Sequence, residues 1–149
     1  MKKAILVFID GTTCDMRHRI PLRGTPGFFS DENIMKDIPT PGSAEMMNEL
    51  AKDYILVYIG ARPSEYNAIT KKWFTVNGFP ESEVYCGENQ AVRMKITKAL
   101  KKQYDFYAGI GDRWDDNELH LELGAKSFIL QEWTPNWDTV RKYIEEVTQ

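Results

Sequence analysis

The sequence predicts an α/β fold, a parallel sheet with helices on both faces, on three grounds. Short continuous apolar runs recur along the chain, and amphipathic helical patterns separate them. A run without polar alternation suits a strand covered on both sides. Small and charged residues then cluster just after those runs, where open parallel sheets hold their ligands.

Residues 4–9 form the first run, between Lys3 and Asp10. Residues 54–59, 106–110 and 127–130 read the same way, and 83–86 is a weaker strand candidate. A helix is expected from Ser43, a capping residue, with Met46, Met47 and Leu50 on one face. Ser64 follows Pro63 and caps a second, with Tyr66, Ile69, Trp73 and Phe74 inward and Gly78 and Pro80 ending it. Val92, Ile96, Ala99 and Leu100 line a third. Residues 115–123 give a fourth, closed by Gly124, and 137–147 the last. Residues 16–42 break the rhythm, with four prolines, three glycines and no long helical pattern. Phe28, Phe29, Ile34, Met35 and Ile38 give this stretch anchors, so it is expected to be an ordered flap over the strand ends, a minimal cap. A long ordered loop inside a compact domain is more often functional than ornamental.

At 149 residues, with 42% apolar and 28% charged content, the chain suits a single domain spanning 1–149. The net charge of −3 gives no broad basic footprint, so any nucleic-acid end would have to be held locally. Two cysteines, Cys14 and Cys86, are too few for a disulfide scaffold and point to a reducing cytoplasm. The apolar start meets Asp10 too early for a signal peptide, and no run approaches a membrane span. Oligomeric state leaves no trace in the sequence.

The residues after each run carry the candidate chemistry. Asp10, Gly11, Thr12 and Thr13 follow the first, where Gly11 permits a tight turn and the next amides can face an anion. Gly60, Ala61 and Arg62 follow the second and lead into a helix whose free amides suit phosphate. Lys95 opens the third helix, with Lys98 a turn later; Lys95, Lys98, Lys101 and Lys102 also read as a solvated face. Asp112 and Asp116, a helical turn apart, can converge on a hard cation such as Mg2+, and helix capping by Asp112 or Asp115 is the plain alternative.

In this order the segments resemble haloacid dehalogenase (HAD) superfamily phosphatases, which open with an apolar strand and Asp-x-Asp-Gly-Thr. The resemblance implies a HAD-like, Rossmannoid three-layer fold, Mg2+ and an aspartyl-phosphate mechanism. It makes Asp10 the proton-transferring residue and Lys95 the cation that offsets site charge. Gly11, Thr12, Gly60, Ala61 and Arg62 become the phosphate-binding segments, and Asp10, Asp112 and Asp116 the metal ligands. Arg62, Thr70 and Trp73 also resemble the Thr-x-x-Trp helix of polynucleotide kinase–phosphatase domains. Those relatives carry an arginine in the flap, a place open to Arg17, Arg19 or Arg23, with Arg19 the candidate taken here. Two positions depart from the pattern. Phe8 stands where the family keeps its nucleophilic, metal-binding aspartate, and Gly60 where a hydroxyl meets the phosphoryl group. A phenyl ring can neither attack phosphorus nor hold Mg2+. The expected protein is therefore a phosphatase-like domain without the aspartyl-phosphate mechanism, binding a phosphorylated small molecule or nucleotide. One alternative is an active phosphohydrolase in a shifted register, with Asp10 as nucleophile. Another is a protein-interaction module presenting the flap and Trp114, Trp133 and Trp137.

Overall fold

The computed structural model describes residues 2–145, so residues 146 and 147 of the expected last helix lie outside the described residues. The apolar runs become the strands β1 (Ala4–Phe8), β4 (Ile55–Gly60), β5 (Glu83–Cys86), β6 (Phe106–Gly111) and β7 (Lys126–Ile129) of one sheet, in the order β5-β4-β1-β6-β7. Every pairing in it is parallel. All five residues of β1 are buried, as its unbroken apolar run requires. The chain leaves β1 toward β4 and β5, then crosses to β6 and β7 on the other side. Connection order therefore reverses at β1, and a crevice opens beyond the carboxyl ends of β1, β4 and β6.

Helices cover both faces. Alternate residues of β1 point oppositely. Ile5 and Val7 join Met46, Met47 and Leu50 of α2 (Ser43–Leu50), Trp73 and Phe74 of α3 (Asn67–Val76), and Trp137 and Val140 of α6 (Trp137–Tyr143). Ala4, Leu6 and Phe8 join Leu100 of α4 (Gln90–Lys101) and Leu119 and Leu123 of α5 (Trp114–Leu123). Among the described residues, no helix is long and apolar enough to cross a membrane.

Three local expectations are corrected. Ser43 is the first residue of α2 rather than its cap; its hydroxyl donates to the Thr40 and Thr13 carbonyls. Ser64 starts a 3-10 turn, Ser64–Tyr66, and makes no cap bond. On α4, Leu100 is buried and Ile96 packs against the core as expected, but Arg93 and Thr97 are buried beside them and Ala99 is exposed.

Residues 16–42 are ordered, mostly as short turns. Two 3-10 turns, Arg17–Leu22 and Pro26–Phe29, precede the single turn α1 (Asp31–Ile34). The strand pair β2 (Cys14–Asp15) and β3 (Ile38–Pro39) ties the ends of this stretch together, antiparallel. Ile34 is fully buried, whereas Ile38, expected as an anchor, is 60% exposed because it lies on the outer side of this two-strand ribbon. Trp73 fastens the flap from below: its buried indole Nε1 donates to the Asp37 carbonyl at 2.9 Å. Trp73→Phe orphans that carbonyl and should lower stability by about 1–3 kcal/mol. Urea unfolding reads the loss, and an unchanged midpoint would show that the bond holds nothing.

Candidate functional site

A cleft of about 430 Å3 opens at the switch point, between the strand ends and the flap. Phe8, Asp10, Ala61, Arg62, Arg93 and Asp116 line its sheet side, and Arg19, Arg23, Phe28, Phe29, Glu132 and Trp133 are among those closing it. Phe8 is 6% exposed; it belongs to the apolar cluster under α4 and α5 and reaches the cleft floor.

Asp10 does not stand alone in the cleft. Arg62 donates to both of its oxygens, from Nη2 at 2.8 Å and from Nε at 3.3 Å. The Arg62 side chain is 1% exposed and also donates to Thr70 Oγ1 at 2.9 Å, Asp37 Oδ2 at 3.2 Å and Cys14 Sγ at 3.4 Å. Burial works against its charge, but Asp10 and Asp37 outweigh burial and raise its pKa above the ordinary value. Asp37 is the hub. Arg19 grips it with two bonds of 2.8 Å, and His18 Nε2 lies 2.6 Å from Oδ1. Cys14 donates its thiol to Oδ2 at 3.3 Å, and burial pushes that thiol's pKa well up, so it stays protonated.

The remaining expected residues are distributed around this network. Gly11 has φ +92°, and a Cβ there would fall 2.5 Å from an Asp112 oxygen. Thr12 donates to Asp112 Oδ1 at 2.8 Å. The Asp112 side chain is wholly buried, and its Oδ2 has no hydrogen-bond partner among the described residues. Burial, aided by Asp116 and Glu132, raises its pKa to about 7. Asp116 closes the first turn of α5, accepting from the amides of Asp112 at 2.9 Å and Arg113 at 3.1 Å; burial raises its pKa to about 6. At Gly60 a Cβ would lie 2.8 Å from Ile9 Cδ1, so Ile9 fills the space that a side chain would take.

Two expectations about site residues do not hold in this geometry. Lys95 is exposed on α4 and outside the cleft lining, whereas Arg93 is buried within it. Residues two apart on a helix face about 200° apart. The expected metal set of Asp10, Asp112 and Asp116 is not brought together either. Among the described residues, the group with three converging metal donors is Asp10, Cys14 and Asp37. Those donors fit Mg2+ poorly. The ion needs near-octahedral oxygen ligation, yet one donor is a protonated thiol and the Arg62 guanidinium already sits against both carboxylates.

Sequence reasoning missed Asp37, Cys14, Arg93 and Trp133 as site residues. Trp133 is the one non-glycine with positive φ, 68°, among the described residues. Its amide donates to the Gly11 carbonyl at 2.8 Å, and Arg17 lies over its ring at 5.3 Å. A bulky side chain in the left-handed region costs about 1–3 kcal/mol, and such strain gathers at functional sites.

No family model matches the chain. A protein of Bacillus cereus described as a candidate nucleotidase is 34% identical over 71 residues, an alignment covering 46% of this chain and 38% of that protein. A haloacid dehalogenase-like hydrolase from Streptococcus pneumoniae superposes with a TM-score of 0.65 at 13% identity, covering 95% of this chain and 91% of that one. A chain of the Pnkp1/Rnl/Hen1 complex gives 0.70 at 14% identity, over 89% of this chain and 46% of its own. A HAD family enzyme from Bacteroides thetaiotaomicron, solved with magnesium and inorganic phosphate, gives 0.61 at 13% identity, over 94% and 99%. The chain thus has the fold of the HAD hydrolases, a three-layer α/β sandwich on a parallel sheet.

Asp112 offers a test of the site's electrostatics. Its pKa is raised in the fold, from 3.8 to about 7, so the stability it contributes is present below pH 3.8 and is lost as pH rises through about 7. Asp112→Asn, which cannot ionise, should therefore be more stable than the wild type at pH 8, by on the order of 2 kcal/mol. The gap should narrow toward about pH 4. Thermal melts across this range check it; a variant less stable at pH 8 contradicts burial as the dominant influence on this carboxylate.

Proposed function

We propose that this chain is a HAD-fold domain that binds a phosphorylated small molecule or nucleotide and has lost the aspartyl-phosphate mechanism. The observation that carries this reading is Phe8 at the cleft floor beside Asp10. No carboxylate stands on the last residue of β1 to attack phosphorus. The nearest candidate, Asp10, has both oxygens engaged by Arg62, which weighs against the reading in which Asp10 is the nucleophile. What remains suits ligand binding: arginines, a flap of aromatic side chains and a volume within the range of small-molecule sites. The B. cereus relative and the phosphate-bound HAD neighbour support a phosphorylated ligand, as does the nucleic-acid context of the Pnkp1 complex for a nucleotide. The interaction-module reading has less support, since Trp137 is 5% exposed in the core and Trp133 faces the cleft; Trp114 alone of the three is well exposed, at 77%.

The purified chain is expected to hydrolyse p-nitrophenyl phosphate with Mg2+ no faster than buffer does. Saturable turnover that Asp10→Asn abolishes would sink the proposal and revive the shifted register.

A further inference from the structure

Beside Phe8 the cleft holds a cation without a salt-bridge partner among the described residues. Arg93, on the first turn of α4, is 8% exposed. Its Nη1 donates to the Gly87 carbonyl at 2.8 Å, and its Nε is buried with no partner. Among the described residues no carboxylate closes an ion pair with it. The other buried arginines of the cleft are committed: Arg19 to Asp37, and Arg62 to Asp10 and Asp37. Arg113 is two-thirds exposed and paired with Glu132 at 2.9 Å. Asp115 and Asp116 are near enough to favour the charge of Arg93, but Asp116 spends one oxygen capping α5. Burial pushes the pKa of Arg93 below the ordinary value. A buried guanidinium without a carboxylate costs several kcal/mol unless something else satisfies it. The position is also built. A Cβ at Gly87 would lie 3.0 Å from Arg93 Cγ, so the small residue there leaves room for the stem.

The second observation concerns the metal. The converging donors Asp10, Cys14 and Asp37 surround the Arg62 guanidinium at 2.8, 3.4 and 3.2 Å. A divalent cation cannot share those carboxylates with a fixed guanidinium, because like charges a few ångströms apart in a buried site repel strongly. Arg62 is also anchored through Thr70 and cannot leave without breaking the flap network.

We propose that the cleft binds an oxyanion, a phosphate monoester or inorganic phosphate, without a metal ion: Arg93 is the free donor that the anion pairs with, and Arg62 is the fixed positive charge standing in for a cation. This rests on the reading of the cleft as a site for phosphorylated ligands. A guanidinium suits the task, since its planar donors match two phosphate oxygens at once.

Inorganic phosphate titrated into the full chain tests it, followed by calorimetry and by tryptophan fluorescence, with EDTA or with millimolar Mg2+. The dissociation constant should agree within about twofold between the two conditions. Arg93→Gln should weaken phosphate binding roughly 10- to 100-fold, the range for a lost charged hydrogen bond. The same variant without phosphate should melt close to the wild type, since relief of the buried charge offsets the lost Gly87 bond; a purely structural arginine would lower the melting temperature and leave phosphate affinity unchanged. Binding that requires Mg2+, binding indifferent to Arg93→Gln, or no binding at all overturns the inference. None of these outcomes touches the loss of hydrolytic chemistry, which rests on turnover alone.

Discussion

The Asp37 carboxylate is the point on which this structure turns. It is fully buried, and two arginines from different parts of the chain meet on it, Arg19 from the flap and Arg62 from the end of β4. Ions taken from water cost several kcal/mol each, and only good geometry with every lone pair engaged repays it. Here the bidentate Arg19, the Arg62 contact, His18 and the Cys14 thiol supply those partners. Removing any one leaves a buried charge short of its neighbours. The flap is therefore held by polar contacts at least as much as by its apolar anchors, consistent with Ile38 standing in solvent while Asp37 beside it is buried.

That network also decides what the strand ends can do. Arg62 cannot be at once a clamp for the flap and a mobile ligand for substrate. Its hold on Asp10 makes a carboxylate that lines the cleft part of the scaffold. Asp112 is likewise turned inward, against Thr12 and the Gly11 backbone, where burial keeps it partly protonated near neutral pH. Among the acids that line the cleft, Asp10 is held by Arg62, Asp116 caps α5 and Glu132 pairs with Arg113, while Asp115 is exposed.

The sheet was legible because a strand buried on both faces leaves an unbroken apolar run, which needs no knowledge of the rest of the chain. Residues 83–86, the weaker strand candidate, became β5, an edge strand whose burial alternates from the exposed Glu83. Ser43 and Ser64 misled because a hydroxyl that caps and one that bonds elsewhere look alike in sequence; Ser43 answers to Thr13, thirty residues away. The buried face of α4 was read incompletely because it includes an arginine and a threonine, which periodicity scores as solvent-facing. Arg93 was hidden behind Lys95 by that error. Asp37 was invisible for a deeper reason: its partners lie 18, 19, 23 and 25 residues away, and only the folded flap brings them together.

The two departures from the phosphatase pattern are physically joined. Phe8 packs with Leu6, Ile59 and Leu119, so the end of β1 is part of the apolar core beneath α4 and α5. Ile9, the next residue, points the other way and lies over Gly60, where a hydroxyl-bearing side chain would collide with its Cδ1. A carboxylate restored at position 8 would enter an apolar cluster, and a threonine restored at 60 would meet Ile9. Neither would free Asp10 from Arg62. The strand end, Ile9 packed against Gly60 and the buried ion network at Arg62 thus form one connected arrangement.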